Sequence, residues 1–145
     1  MKRIIAFLVL IMVSFSVVQA GNDAFNPKRF QADLEAYITK YAELSPKQAE
    51  KFLPIFREMR QKLQVLFDEK RQCECIDKKD DAACARAIQR MDNIDVQLKK
   101  IQKTYHQKFL AVLPASVVMK IIKAEDRFHR QAFRKVIRGE RHSRL

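Results

Sequence analysis

Glycine is almost missing from this 145-residue chain: Gly21 and Gly139 are the only two, so nothing between them can form a glycine-rich phosphate cradle. Nucleotide binding of that kind is excluded. Asn-Gly and Asp-Gly turns are absent and no stretch sustains polar/apolar alternation, which removes the usual signals of hairpins and half-buried strands. The three histidines, His106, His129 and His142, form no Ser/His/Asp or Cys/His arrangement that spacing supports. A non-enzymatic protein that needs no cofactor is expected. What remains is a helix-forming composition, and the predicted fold is all-α, with four helices in one domain over residues 21–145.

Residues 1–20 read as an export signal. Lys2 and Arg3 precede an apolar run from Ile4 to Val18, and Val18-Gln19-Ala20 supplies a small-residue cleavage site after Ala20. A spanning helix wants about 20 apolar residues, whereas this run is shorter and is interrupted by Ser14 and Ser16. A periplasmic location follows, and with it a weak case for nucleic acid as partner.

Asn26 and Pro27 open a first predicted helix that runs to about Ala42, with Phe30, Leu34, Tyr37 or Ile38, and Tyr41 on its apolar face. The strongest local signal follows at Leu44-Ser45-Pro46-Lys47-Gln48. Ser45 can cap, Pro46 stands where its missing amide hydrogen costs nothing, and Gln48 can reach back to close a capping box. The second helix continues to about Arg71 and is expected to kink ahead of its internal Pro54. Asp80 or Asp81 can cap a third helix that ends near Leu113. Pro114 and Ser116 restart a fourth, whose predicted apolar face is Val117, Ile121, Phe128, and Phe133 with Val136 or Ile137.

The second and third helices carry matching stripes. Phe52, Phe56, Met59, Leu63, Leu66, Lys70 and Cys73 follow helical spacing, and so do Cys84, Ala87, Met91, Ile94, Leu98, Ile101 and Tyr105 on the return limb. Zipped end to end, they make a long bent antiparallel hairpin in which Phe52 faces Tyr105 and Cys73 faces Cys84. Only Lys70 interrupts the seam, with a stem that can pack while its ammonium reaches water. In an oxidising compartment this register selects a Cys73–Cys84 disulfide, with Cys75–Cys84 as the alternative and the leftover thiol free to cross-link or react. The spacing C-x-C-x8-C matches no common zinc site, and Glu125 with His129, one helical turn apart, is the only weak metal-ligand pair.

Charge is distributed unevenly. Residues 21–95 hold 14 Lys/Arg and 14 Asp/Glu, whereas residues 96–145 hold 13 Lys/Arg and three acids, Glu125, Asp126 and Glu140. Lys123, Arg127, Arg130, Arg134, Arg138 and Arg141 recur at helical spacing along the fourth helix. Cations so arranged repel one another, which favours an anionic partner over a merely solvated face. Candidates are an acidic protein surface, an unfolded acidic client or the anionic headgroups of a membrane surface.

At Leu44-Ser45-Pro46-Lys47-Gln48 the chain resembles the LTxxQ motif of the periplasmic CpxP/Spy family, keeping the leucine, a hydroxyl and the glutamine. Residues 49–63 and 109–136 resemble related exported proteins of Bacteroidetes-type bacteria tied to extracytoplasmic-function sigma factors. A second LTxxQ element is degenerate, since Leu113-Pro114-Ala115-Ser116-Val117 lacks the glutamine. The resemblance implies a curved helical hairpin paired into a homodimer whose concave face binds unfolded proteins without ATP as an envelope-stress chaperone. The alternative it implies is a sensor that binds a membrane-bound stress regulator, in some relatives metal-responsive through histidine and acidic ligands.

Overall fold

A computed structural model describes residues 26–142, without the side chains of Val136 and of residues 139–142. The expected export signal and its cleavage site at Ala20 lie outside the described residues. Four helices follow in order: α1 Pro27–Tyr41, α2 Pro46–Glu74, α3 Asp81–Val112 and α4 Ala115–His142. Among the described residues there is no strand, and no helix is long and apolar enough to cross a membrane.

The helix starts follow from their caps. The Asn26 side chain accepts hydrogen bonds from the backbone N–H groups of Lys28 and Arg29 at 3.1 and 3.2 Å. At α2 the box closes in both directions: the Gln48 N–H donates to Ser45 Oγ at 3.3 Å, and the Ser45 N–H donates to Gln48 Oε1 at 2.9 Å. Asp80 caps α3 by accepting from the Ala83 N–H at 2.9 Å. The helix α2 runs unbroken through Pro54, which lies inside it. Its ring nitrogen leaves the Glu50 carbonyl without the usual donor four residues on.

The end of α1 uses a device that no glycine announces. Glu43 takes the left-handed conformation (φ 54°), the Leu44 N–H donates to the Thr39 carbonyl at 3.0 Å, and the Glu43 N–H donates to Lys40 at 3.3 Å. This is the Schellman arrangement, normally closed by glycine. A side-chain-bearing residue there costs roughly 1 kcal/mol.

Two antiparallel pairs, α2 with α3 and α1 with α4, enclose one core. Its largest buried side chains are Tyr105, Phe52, Phe56 and Phe109, joined by Leu34, Ile38, Met59, Leu63, Ile94 and Ile121. Both predicted seams point inward, as their 3.6-residue spacing requires. The register, however, is shifted by about one turn from end-to-end zipping. The Phe52 ring meets Phe109 rather than Tyr105, with centroids 5.0 Å apart, and the Tyr105 hydroxyl donates to Glu58 at 2.6 Å. Lys70 is half-buried as expected, and its Nζ lies 2.6 Å from Asp95 Oδ1.

This shift corrects the expected disulfide. Cys73, Cys75 and Cys84 are all free thiols. Sliding the limbs carries Cys84 toward the turn, where its Sγ lies 3.9 Å from the Asp77 carbonyl oxygen, while Cys75 Sγ lies 3.4 Å from that of Arg71. A second correction concerns α4. Phe133, expected on the apolar face, is 66% exposed; Ile137, one of the two alternatives there, is 40% exposed, and Tyr41 on α1 is 37% exposed. The side chain of Val136, the other alternative, lies outside the described set. The core contacts of α4 reach Phe128, which packs edge-on against Phe30 at 5.2 Å and against Tyr37 at 5.5 Å.

Candidate binding surface on helix α4

Helix α4 is sided. Val118, Ile121 and Ala124 are buried and Phe128 partly so, which points that stripe at the core. A helix advances 100° per residue, so Lys123, Arg127, Arg130, Arg134 and Arg138 fall together on the opposite, outward side. All five are exposed. Met119, Phe133 and Ile137 are exposed on the flank of the same side. The outward face therefore combines cations with apolar groups.

None of these five cations has a carboxylate within 4.0 Å among the described residues. Arg141, the sixth member of the predicted stripe, has a side chain outside the described set. Arg127 instead lies over the Tyr41 ring, 5.7 Å from its centroid, and Tyr41 in turn stacks on Tyr37 at 5.9 Å. Tyr41, Lys123, Arg127, Arg130, Gln131 and Arg134 line one depression. Spacing alone identified its cations. By spacing Tyr41 belongs to the apolar face of α1, and Gln131 carries no pattern of its own, so only the packing of α1 on α4 brings them to the site.

Leu44, Ser45, Pro46 and Gln48 do local work: Ser45 and Gln48 close the box, Pro46 starts the helix and Leu44 packs against the core. The motif is a helix start, remote in sequence from the stripe. Lys120, one turn before Lys123, is held by Glu43 at 2.9 Å and so links the α1–α2 turn to α4.

The inner side of α4 holds the weak metal-ligand pair. His129 Nε2 is 3.8 Å from Glu125 Oε1, but the same oxygen is 3.6 Å from Arg60 Nη1 on α2. Arg60 also donates to Gln31 at 3.4 Å. Burial pushes the Arg60 guanidinium below its ordinary value and the Glu125 carboxylate pulls it back. A carboxylate already facing a fixed cation is a poor metal ligand, and no cluster of three His, Cys, Asp or Glu that could hold a metal occurs among the described residues. Nearby, Arg57 grips Glu35 through two bonds of 3.0 and 2.7 Å and holds that carboxyl below its ordinary value. Together these polar contacts clasp α1 and α4 to the hairpin.

Comparison with family models, curated proteins and solved structures gives no match.

Proposed function

We propose that this chain is an exported, periplasmic envelope-stress protein of the CpxP/Spy type, working as a homodimeric ATP-independent holdase. The observation that carries this reading is the outward face of α4, where Lys123, Arg127, Arg130, Arg134 and Arg138, without a carboxylate within 4.0 Å among the described residues, adjoin exposed Met119, Phe133 and Ile137. A partly unfolded acidic client offers both complements, carboxylates and apolar side chains. Exposed charges attract it weakly and reversibly, while small apolar contacts hold it. Release then needs no nucleotide.

The test is aggregation of an acidic unfolded client with the chain at equimolar amount or below. Aggregation is expected to slow at low salt, less so at high salt, and the combined Arg130→Glu, Arg134→Glu variant is expected to lose most of the effect. Unchanged aggregation kinetics at low salt sink the reading. A single stoichiometric membrane partner recovered from envelope extracts, in place of a spread of clients, supports the sensor alternative. Its metal-responsive form has no support from Glu125 and His129, because Glu125 already faces Arg60.

A further inference from the structure

The depression beside Tyr41 is more specialised than a charged helix face needs to be. Its floor is the Tyr41 ring, fixed by stacking on Tyr37, which is itself packed against Phe128 at 5.5 Å. Above it lies the Arg127 guanidinium, and Lys123, Arg130 and Arg134 follow at helical spacing over about 16 Å. The tyrosine hydroxyl and the Gln131 amide add neutral donors.

These cations are not there to close the end of α1. The carbonyls of Ile38, Thr39 and Lys40 already accept from the backbone N–H groups of Ala42, Leu44 and Glu43. Their nearest acids do little to neutralise them: Glu43 is held by Lys120, and Asp126, one turn from Lys123 and Arg130, makes no ion pair within 4.0 Å among the described residues. Four cations and two neutral donors line one depression, and among the described residues none of these cations has a carboxylate within 4.0 Å.

The number of donors decides the chemistry. One carboxylate has two oxygens and about four acceptor positions, too few to engage three guanidinium forks and an ammonium. A phosphate group has more acceptor oxygens and a larger charge, and arginine forks match it two bonds at a time. Three guanidinium forks and an ammonium offer more donors than one phosphate group can take up, which favours two neighbouring phosphates. We infer that the α1–α4 depression is a binding site for adjacent phosphate groups, those of a diphosphate in solution or of neighbouring lipid headgroups at an anionic membrane surface. This rests on the stripe being a docking surface, but not on its holding protein clients.

The experiment is calorimetric titration of the mature chain with inorganic pyrophosphate at low salt, with citrate as the carboxylate comparison. Pyrophosphate is expected to bind at one site and at least tenfold more tightly than citrate. Arg127→Gln combined with Arg130→Gln is expected to weaken it by tenfold or more, the size of losing a charge-assisted hydrogen bond. Lys99→Gln combined with Lys103→Gln removes the same charge from exposed α3 positions and is expected to change affinity less than twofold. Tyr41→Ala is expected to weaken binding by removing the platform under Arg127. Equal binding of citrate, or equal loss from the α3 pair, overturns the inference, because the attraction is then only diffuse charge.

Flotation with vesicles of phosphatidylcholine containing phosphatidic acid separates the sources. Binding that depends on Arg127 and Arg130 assigns the lipid headgroup, and absence of flotation with intact pyrophosphate binding assigns the soluble diphosphate. Pyrophosphate binding without suppression of client aggregation removes the holdase reading alone. Suppression without pyrophosphate binding removes this inference alone.

Discussion

The hairpin pairs about half of its cations with carboxylates, and the outward side of helix α4 pairs none of its five described ones. On α2 and α3, Arg57, Arg60, Lys62, Lys70, Arg71, Arg90 and Lys108 each face a carboxylate within 4.0 Å, among them Arg90 with Glu69 and Arg71 with Asp68. On the outward side of α4 none of the five does among the described residues. The difference begins in composition, since residues 21–95 balance their charges and residues 96–145, the end of α3 with Lys99, Lys100, Lys103 and Lys108 included, do not. Where acids and bases are balanced, much of the charge pairs within the fold, although Lys47, Lys51 and Arg86 have no carboxylate within 4.0 Å among the described residues. Helix α4 has only Glu125, Asp126 and Glu140 to offer, and Glu125 is spent on Arg60 across the interface.

The contrast can be broken most forcefully in the core. Phe52→Ala on the hairpin is expected to cost about 3–5 kcal/mol of unfolding free energy, because the side chain is fully buried. Phe133→Ala on α4 is expected to cost less than about 0.5 kcal/mol, as an exposed substitution does. Chemical denaturation of both variants measures the gap, and equal losses would place Phe133 in a core.

Next in size is the clasp. The side chains of Arg60 and Glu125 are only 16% and 17% exposed, so Arg60→Ala strands a largely buried carboxylate and is expected to cost about 2 kcal/mol, discounted from the value for a fully buried pair. Arg130→Ala, on the unpaired face, is expected to leave stability unchanged. Ser45→Ala removes one half of the capping box and is expected to cost about 1 kcal/mol. Glu43→Gly is expected to raise stability by about 0.5 kcal/mol, since relief of the left-handed strain at φ 54° outweighs one exposed ion pair with Lys120.

The smallest effect is one of pH. Arg57 holds Glu35 below its ordinary value of 4.5, so the ionised carboxylate stabilises the fold above that pH, and the contribution disappears as pH falls through the lowered folded value. Wild type is therefore expected to lose stability in that acid range more steeply than Arg57→Gln. Parallel acid slopes would show that the pair contributes nothing.

Much of the fold was legible in the chain because its signals are local. Asn26, Ser45 with Gln48, and Asp80 mark three helix starts, and the apolar periodicity identifies which side of α2 and α3 turns inward. The turn at Glu43 was not legible, since its left-handed residue is not a glycine. The same locality explains the misjudged register. A stripe that repeats every turn is unchanged by sliding one turn, so spacing alone cannot choose between Tyr105 and Phe109 as the partner of Phe52. The cross-helix contacts Lys70–Asp95, Glu69–Arg90 and Glu58–Tyr105 distinguish the alternatives, and the free cysteines follow from that choice.

Helix positions, inward faces and the cationic surplus of α4 were set by the amino-acid order itself, because each depends on neighbours within a few residues. Tertiary packing alone decided the hairpin register, the exposure of Phe133 and Ile137, the capture of Glu125 by Arg60 and the meeting of Tyr41 with Arg127. Each of these depends on where one helix lies against another, and periodicity along a single helix carries no record of that.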